Sequence, residues 1–175
     1  NSLNRGISIG SYRFKRETTN NLIWERGLEN LDLSFHSYQT LFRFLIYIVK
    51  EPAIVFYASF FLIKNLYQKP NHLIRSFILL PRTLELFFKI QKENPEIVHL
   101  YWSHYPSILG LLLKKYLPQI KVTMSLAAYD LTMKYKGSEL LLNQADAVVT
   151  HAKTNIPAIQ DLGLIDNEIN VIYRG

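Results

Sequence analysis

Three consecutive runs decide the fold: Ile97-Val98-His99-Leu100-Tyr101, then Pro106 to Tyr116, then Lys121-Val122-Thr123-Met124-Ser125. The outer two are short, β-branched and bounded by turn signals, as buried strands are. The middle one carries Ile108, Leu109, Leu111, Leu112 and Leu113, apolar nearly all round. A helix without a polar face is buried on every side. Pro106 suits its start, where a missing N–H costs nothing. Strand, buried helix and strand in this span make a parallel crossover unit of ordinary length.

The same grammar continues downstream. Ala147-Val148-Val149-Thr150 reads as a strand, Thr154 to Leu162 as a helix closed by Gly163, and Ile169-Asn170-Val171-Ile172-Tyr173 as a final strand. Upstream, residues 41–93 are helical. Leu41–Val49 and Ala53–Leu66 are broken by Lys50-Glu51-Pro52. A third helix, with Asn71 expected as its cap, keeps a three-to-four-residue period through Leu73, Phe77, Leu80, Leu84, Phe87 and Phe88. Pro81 is expected to kink or divide it. Gly6 to Gly10 predicts a strand, Glu17 to Asn30 a helix, and Leu31 to Phe35 a second strand. The fold class expected is α/β, a doubly wound parallel sheet of Rossmann-like type, in a single domain over residues 1–175.

The 175 residues are 49% hydrophobic and 19% charged, enough to bury a core, and contain no cysteine. Disulfides, thiol nucleophiles and Cys-ligated zinc are thereby excluded. The net charge of +6 is concentrated: residues 41–93 hold eight basic and three acidic side chains in the most apolar part of the chain. Basic and apolar together point to an anionic membrane surface rather than to nucleic acid. The longest uncharged run there, Pro52 to Ile63, is too short to span a bilayer, which needs roughly 20 apolar residues. Asn1 to Gly6 lacks an apolar signal core, and a start without Met reads as processed or subcloned.

The seven glycines form neither Gly-x-Gly-x-x-Gly nor a Walker loop, and no Gly-x-Ser-x-Gly elbow is present. None of the histidines His36, His72, His99, His104 and His151 has the helical spacing of a zinc pair, so no metal is expected. Candidate residues come from position instead, because open α/β sheets bind ligands beyond the carboxyl ends of their strands. Tyr12, Arg13 and Arg16 follow the first strand, Trp102, Ser103, His104 and Tyr105 the third, Ala127, Ala128, Tyr129 and Asp130 the fourth, and His151, Ala152 and Lys153 the fifth. Aromatic faces and directional donors suit a sugar, and cations suit a phosphate. Each also has a plainer reading. Arg13 and Arg16 fit a solvated loop, His99 a satisfied histidine in an apolar strand, and Asp130 a helix cap.

From Pro95 to Gly175 the chain resembles the N-terminal domain of retaining, two-domain (GT-B) glycosyltransferases of family four, of the bacterial polysaccharide-synthesis type. Pro95-Glu96-Ile97-Val98-His99-Leu100-Tyr101-Trp102 is similar to the family's PDIVHAHF strand. Ser125-Leu126-Ala127-Ala128-Tyr129-Asp130-Leu131 is similar to SFHGYDL. Ala145 to Thr150, leading to Leu162-Gly163-Leu164, is similar to ADAVVTVSE…LG, and Ile169 to Gly175 to the interdomain hinge. Phe14 to Thr18 matches the family's P..SETF loop more loosely, and residues 38–93 match only in helical character. The sequence departs where Ala127-Ala128 replace His-Gly and Ala152-Lys153 replace Ser-Glu. The chain stops at Gly175, where the family's donor domain would begin.

The resemblance implies the acceptor-side half of an enzyme moving sugar from a nucleotide-sugar co-substrate to a lipid-linked or polysaccharide acceptor. It implies no tightly bound cofactor and no metal. Tyr12, Arg13, Arg16, His104, Tyr105, His151 and Lys153 would form the acceptor wall, with Tyr129 and Asp130 on the donor side. The missing donor half would come from a C-terminal domain or a separate subunit. Segment 41–93 would seat the domain on the inner face of a membrane, giving a cytoplasmic, peripheral location. Ala127 keeps open a non-catalytic scaffold module that works with a donor-domain partner. The family's paired glutamates have spacing matches at Glu17/Glu25 and Glu85/Glu93, which read as coincidences of a two-turn helical period.

Overall fold

A computed structural model describes residues 9–10, 31–32, 38–164 and 168–173. The architecture is α/β. Strands β1 (Ile9–Gly10) and β2 (Leu31–Asp32) pair in parallel with each other. Helices α1 (Tyr38–Lys50), α2 (Pro52–Leu66) and α3 (Pro70–Glu93) follow. Then come β3 (Ile97–Leu100), α4 (Ser107–Tyr116), β4 (Lys121–Leu126), α5 (Ala128–Met133), α6 (Lys136–Leu142) and β5 (Ala147–Thr150). A single 3-10 turn over Lys153–Asn155, α7 (Ile156–Asp161) and β6 (Ile169–Val171) complete the chain.

Strands β3 to β6 form one four-stranded, all-parallel sheet in sequence order. Register aligns His99 with Thr123 and Ala147, and Ser125 with Val149 and Asn170. Helices on both faces require a reversal of strand order, and between β3 and β6 there is none. Right-handed crossovers without reversal place the connecting helices on one face. Burial follows this, with one exception. Val122, Met124 and Val148 are fully buried, whereas the alternate residues Thr123, Ala147 and Val149 are only partly covered; Ser125, bonded to His99, is buried on that side.

The core lies between that covered face and the helices. All of α4 from Ser107 to Leu113 is buried, as its lack of a polar face requires. Each such Leu or Ile contributes roughly 1.5–3 kcal/mol by leaving water. Gly110 permits a close approach: a Cβ there would stand 2.6 Å from Leu141 Cδ2 and 2.8 Å from Leu100 Cδ1. At its far end Lys114 pairs with Asp146 at 2.9 Å, and Asp146 accepts the Val122 N–H at 2.7 Å. That carboxylate ties helix, strand and loop together.

The helical layer is joined differently. The α1–α2 pair bends by 109° at the break before Pro52, as Lys50-Glu51-Pro52 predicts. Helix α2 inserts Ile54, Val55, Ala58, Leu62 and Leu66. Its Tyr57 meets Tyr116 edge-on at 5.7 Å and lies under Lys115 Nζ at 3.8 Å. Helix α1 rests on α3 through the Tyr47–Phe88 ring contact at 4.3 Å and through Glu85. Glu85 accepts from Thr40 at 3.0 Å, from the buried Arg82 at 2.7 Å, and from Arg43. It is therefore a structural anchor, consistent with reading the Glu85/Glu93 spacing as coincidence.

Two local expectations are corrected. Helix α3 begins at Pro70 with Lys69 as its flanking residue, so Asn71 lies inside it and is not the cap. Proline fills the first position, whose N–H would be orphaned anyway. Pro81 does not divide the helix, which runs unbroken for 24 residues. One lost N–H bond is outweighed there by burial of Leu79, Leu80, Leu84, Leu86 and Phe87 on both sides of the ring.

Candidate functional site at the carboxyl ends of the strands

Because β3 to β6 are parallel, their carboxyl ends share one edge. The β3–α4 loop is pinned there by buried serines. Ser103 Oγ donates to the Ser125 carbonyl at 2.6 Å, and the Ser103 carbonyl accepts from Ser138 Oγ. Ser107 Oγ closes the turn on the His104 carbonyl. These bonds fix the backbone that carries the next side chain.

His104 Nδ1 lies 3.1 Å from Asp130 Oδ1. Asp130 is 1% exposed, and its other oxygen accepts the Ala127 N–H at 3.0 Å. Facing a carboxylate, which accepts when ionised, Nδ1 is the fitting donor, and in the neutral ring that tautomer leaves the lone pair on Nε2. Asp130 is not the N-cap, which is Ala127; it stands at the third position of α5, where its side chain bonds back to the Ala127 N–H and also orients a histidine 26 residues upstream. The arrangement is half a capping box, since Ala127 has no side-chain acceptor to return the bond.

Aromatic rings surround this pair. His104 is 4.9 Å from Tyr105, 5.9 Å from Tyr129 and 6.0 Å from Trp102 by ring centroids. Trp102 meets Tyr129 at 6.2 Å, and Tyr101 lies 6.4 Å from Trp102 and 6.2 Å from His151. The rings form a continuous string from the β5 exit to the β4 exit. Tyr101, Trp102 and Tyr129 are about half exposed, so their faces remain open.

The structure brings His104, Tyr105, Tyr129 and Asp130 together as one cluster. Tyr105 supplies its ring only: its hydroxyl is buried without a partner, beside Tyr135, whose centroid is 5.1 Å away. His151 packs on Tyr101 and places Nδ1 3.3 Å from the Ile172 carbonyl. Lys153 is exposed at the start of the 3-10 turn. Tyr12, Arg13 and Arg16 lie outside the described residues.

His99 is satisfied but not enclosed. Its nitrogens meet Thr123 Oγ1 at 2.8 Å and Ser125 Oγ at 3.0 Å on the less covered sheet face. Burial holds its pKa below the ordinary 6.5, and nearby His151 pushes the same way. Tyr101 and Tyr135 are members of the cluster and its support that the strand-exit argument did not single out. Tyr101 could have been found as the last residue of its apolar run, whereas nothing local marks Tyr135. Among the described residues no three His, Asp or Glu side chains gather as a metal site would need. The chain matches no known family model, and no curated protein matches it.

Proposed function

We propose that this chain is the acceptor-side half of a glycosyltransferase, the Rossmann-like first half of a GT-B pair. It moves sugar from a nucleotide-sugar to a lipid-linked or polysaccharide acceptor. The observation that carries the reading is the His104–Asp130 pair inside an open aromatic rim at the carboxyl ends of the strands. Asp130 holds Nδ1–H, leaving His104 Nε2 to accept from an acceptor hydroxyl. Trp102 and Tyr129 offer faces on which a sugar ring stacks. The acceptor oxygen then bonds the anomeric carbon as His104 Nε2 takes the hydroxyl proton, and the bond to the nucleoside diphosphate breaks, the diphosphate leaving with the electron pair. The donor half follows in the same chain or comes from a separate subunit.

The test is nucleoside diphosphate release by the full natural protein, with its membrane extract as acceptor and UDP-glucose, UDP-galactose and GDP-mannose as donors. His104→Ala is expected to lower kcat/KM by about a hundredfold, within the range for a lost positioned hydrogen-bonding group. Asp130→Asn should follow it, because an amide no longer enforces the Nδ1–H tautomer. Turnover unaffected by His104→Ala would refute the assignment. A second reading, a scaffold subunit without chemistry, rests on Ala127, which brings no ring to the rim. It predicts that no sugar nucleotide is consumed even when the partner is present.

A further inference from the structure

Among the described residues an uncovered apolar surface lies on the helical layer, on α1 and α2. Helix α1 turns Thr40, Phe44 and Tyr47 towards α3 and leaves Leu41, Phe42, Leu45 and Val49 in solvent, Val49 at 80% exposure. Helix α2 is covered on one side only. Phe56 and Phe60 stack on each other at 6.4 Å and are 73% and 54% exposed. Contiguous exposed apolar patches of this kind mark interaction surfaces rather than ordinary solvent-facing residues.

Charge selects the partner. Over residues 38–78 five cations are exposed (Arg43, Lys50, Lys64, Lys69 and Arg75) against one exposed acid, Glu51. Of these, Arg43 also reaches Glu85 and Lys69 the Lys134 carbonyl, whereas Lys50, Lys64 and Arg75 have no hydrogen-bond or ion-pair partner among the described residues. Elsewhere in the stretch Arg82 is 1% exposed and bonded to Glu85, Lys89 pairs with Glu93, and Lys92 lies in the last turn of α3. Exposed tyrosines stand at the two ends of the patch, Tyr38 and Tyr67. An apolar centre with phenol and cation edges matches the layering of a lipid interface. At 1.5 Å per residue α1 and α2 are roughly 20 Å long each, and the 109° bend keeps them from acting as one span. Among the described residues no single helix is long and apolar enough to cross a membrane.

We propose that the outer faces of α1 and α2, residues 38–67, dock this protein onto an anionic lipid bilayer by lying in its interface. The second half of α3 is excluded, because it belongs to the core. The inference does not rest on sugar transfer, since docking needs neither donor nor acceptor.

Flotation of the full natural protein with phosphatidylcholine vesicles, with and without about one-third phosphatidylglycerol, tests it. The wild type should float with the anionic vesicles at low salt and poorly with the neutral ones. Phe42→Ser/Leu45→Ser and Phe56→Ser/Phe60→Ser should each weaken binding tenfold or more. Their helical circular dichroism should stay unchanged, because these side chains make little of the core. Lys50→Glu/Lys64→Glu should remove most of the preference for anionic lipid. Absence of flotation, or flotation indifferent to both apolar pairs, would overturn the proposal. So would a dimer that Phe42→Ser/Leu45→Ser dissociates without any vesicle binding, which would assign the face to a second copy.

Discussion

Helices α4 and α2 are almost equally apolar around their circumference, yet only α4 is buried all round, over its first seven residues. Ser107 to Leu113 vanish from solvent, while Phe56, Phe60 and Ile63 of α2 stay exposed opposite Ala58 and Leu62, which do not. The difference is position. Helix α4 has the sheet on one side and α3 and α6 on others, whereas α2 has neighbours on one side alone. An all-round apolar helix therefore announces burial in something, and the tertiary structure decides whether that is the protein's own core.

The sharpest way to break this comparison is to detach the outer layer without touching α4. Glu85→Gln should destabilise the fold by about 3 kcal/mol in urea unfolding, the usual scale for breaking a buried ion pair. Burial alone would raise the Glu85 pKa, but bonds from Arg82, Thr40 and Arg43 outweigh it and hold it below the ordinary 4.5. A depressed carboxyl stabilises above its unfolded value, and that share is lost as pH falls through the folded one. The wild type should accordingly lose stability below about pH 4.5, and Glu85→Gln should lose less over the same interval.

Truncation compares the two helices directly. Leu113→Ala should cost about 2–5 kcal/mol, as buried leucines do, while Phe60→Ser should change stability by no more than about 0.5 kcal/mol. Equal costs would erase the distinction. Gly110→Ala adds one methyl at the tightest point of α4 and should cost about 1–3 kcal/mol through overpacking. The smallest effect belongs to His99. Its folded pKa is depressed, so the unfolded chain binds the extra proton first, and stability should decline as pH falls below 6.5. His99→Asn should flatten that slope, measured by thermal unfolding between roughly pH 5 and 7.

Much of this was legible in the chain. The β3–α4–β4 unit, the β5 strand and the helix break at Lys50-Glu51-Pro52 stand close to where their patterns place them, because each is a local preference reinforced by burial. Asn71 as a cap and Pro81 as a divider misled for the same reason: both are local signals, and the neighbouring Pro70 and the buried flanks of α3 overrode them. The strand-exit loops were identified as a rim, but their internal order was hidden. Nothing in the sequence says that Tyr105 turns its hydroxyl inward or that Tyr101 and His151 pack together.

By itself the sequence determined an α/β chain with a parallel crossover unit, a basic helical stretch and four loops rich in rings and cations. Periodicity and turn chemistry act over a few residues, so they can be read in order along the chain. Only the tertiary structure joined His104 to Asp130, gathered Thr40, Arg43 and Arg82 around Glu85, and left one side of α2 in solvent. Those contacts connect elements distant in sequence, and their energies depend on which surfaces exclude water, a property of the packed chain and not of any one segment.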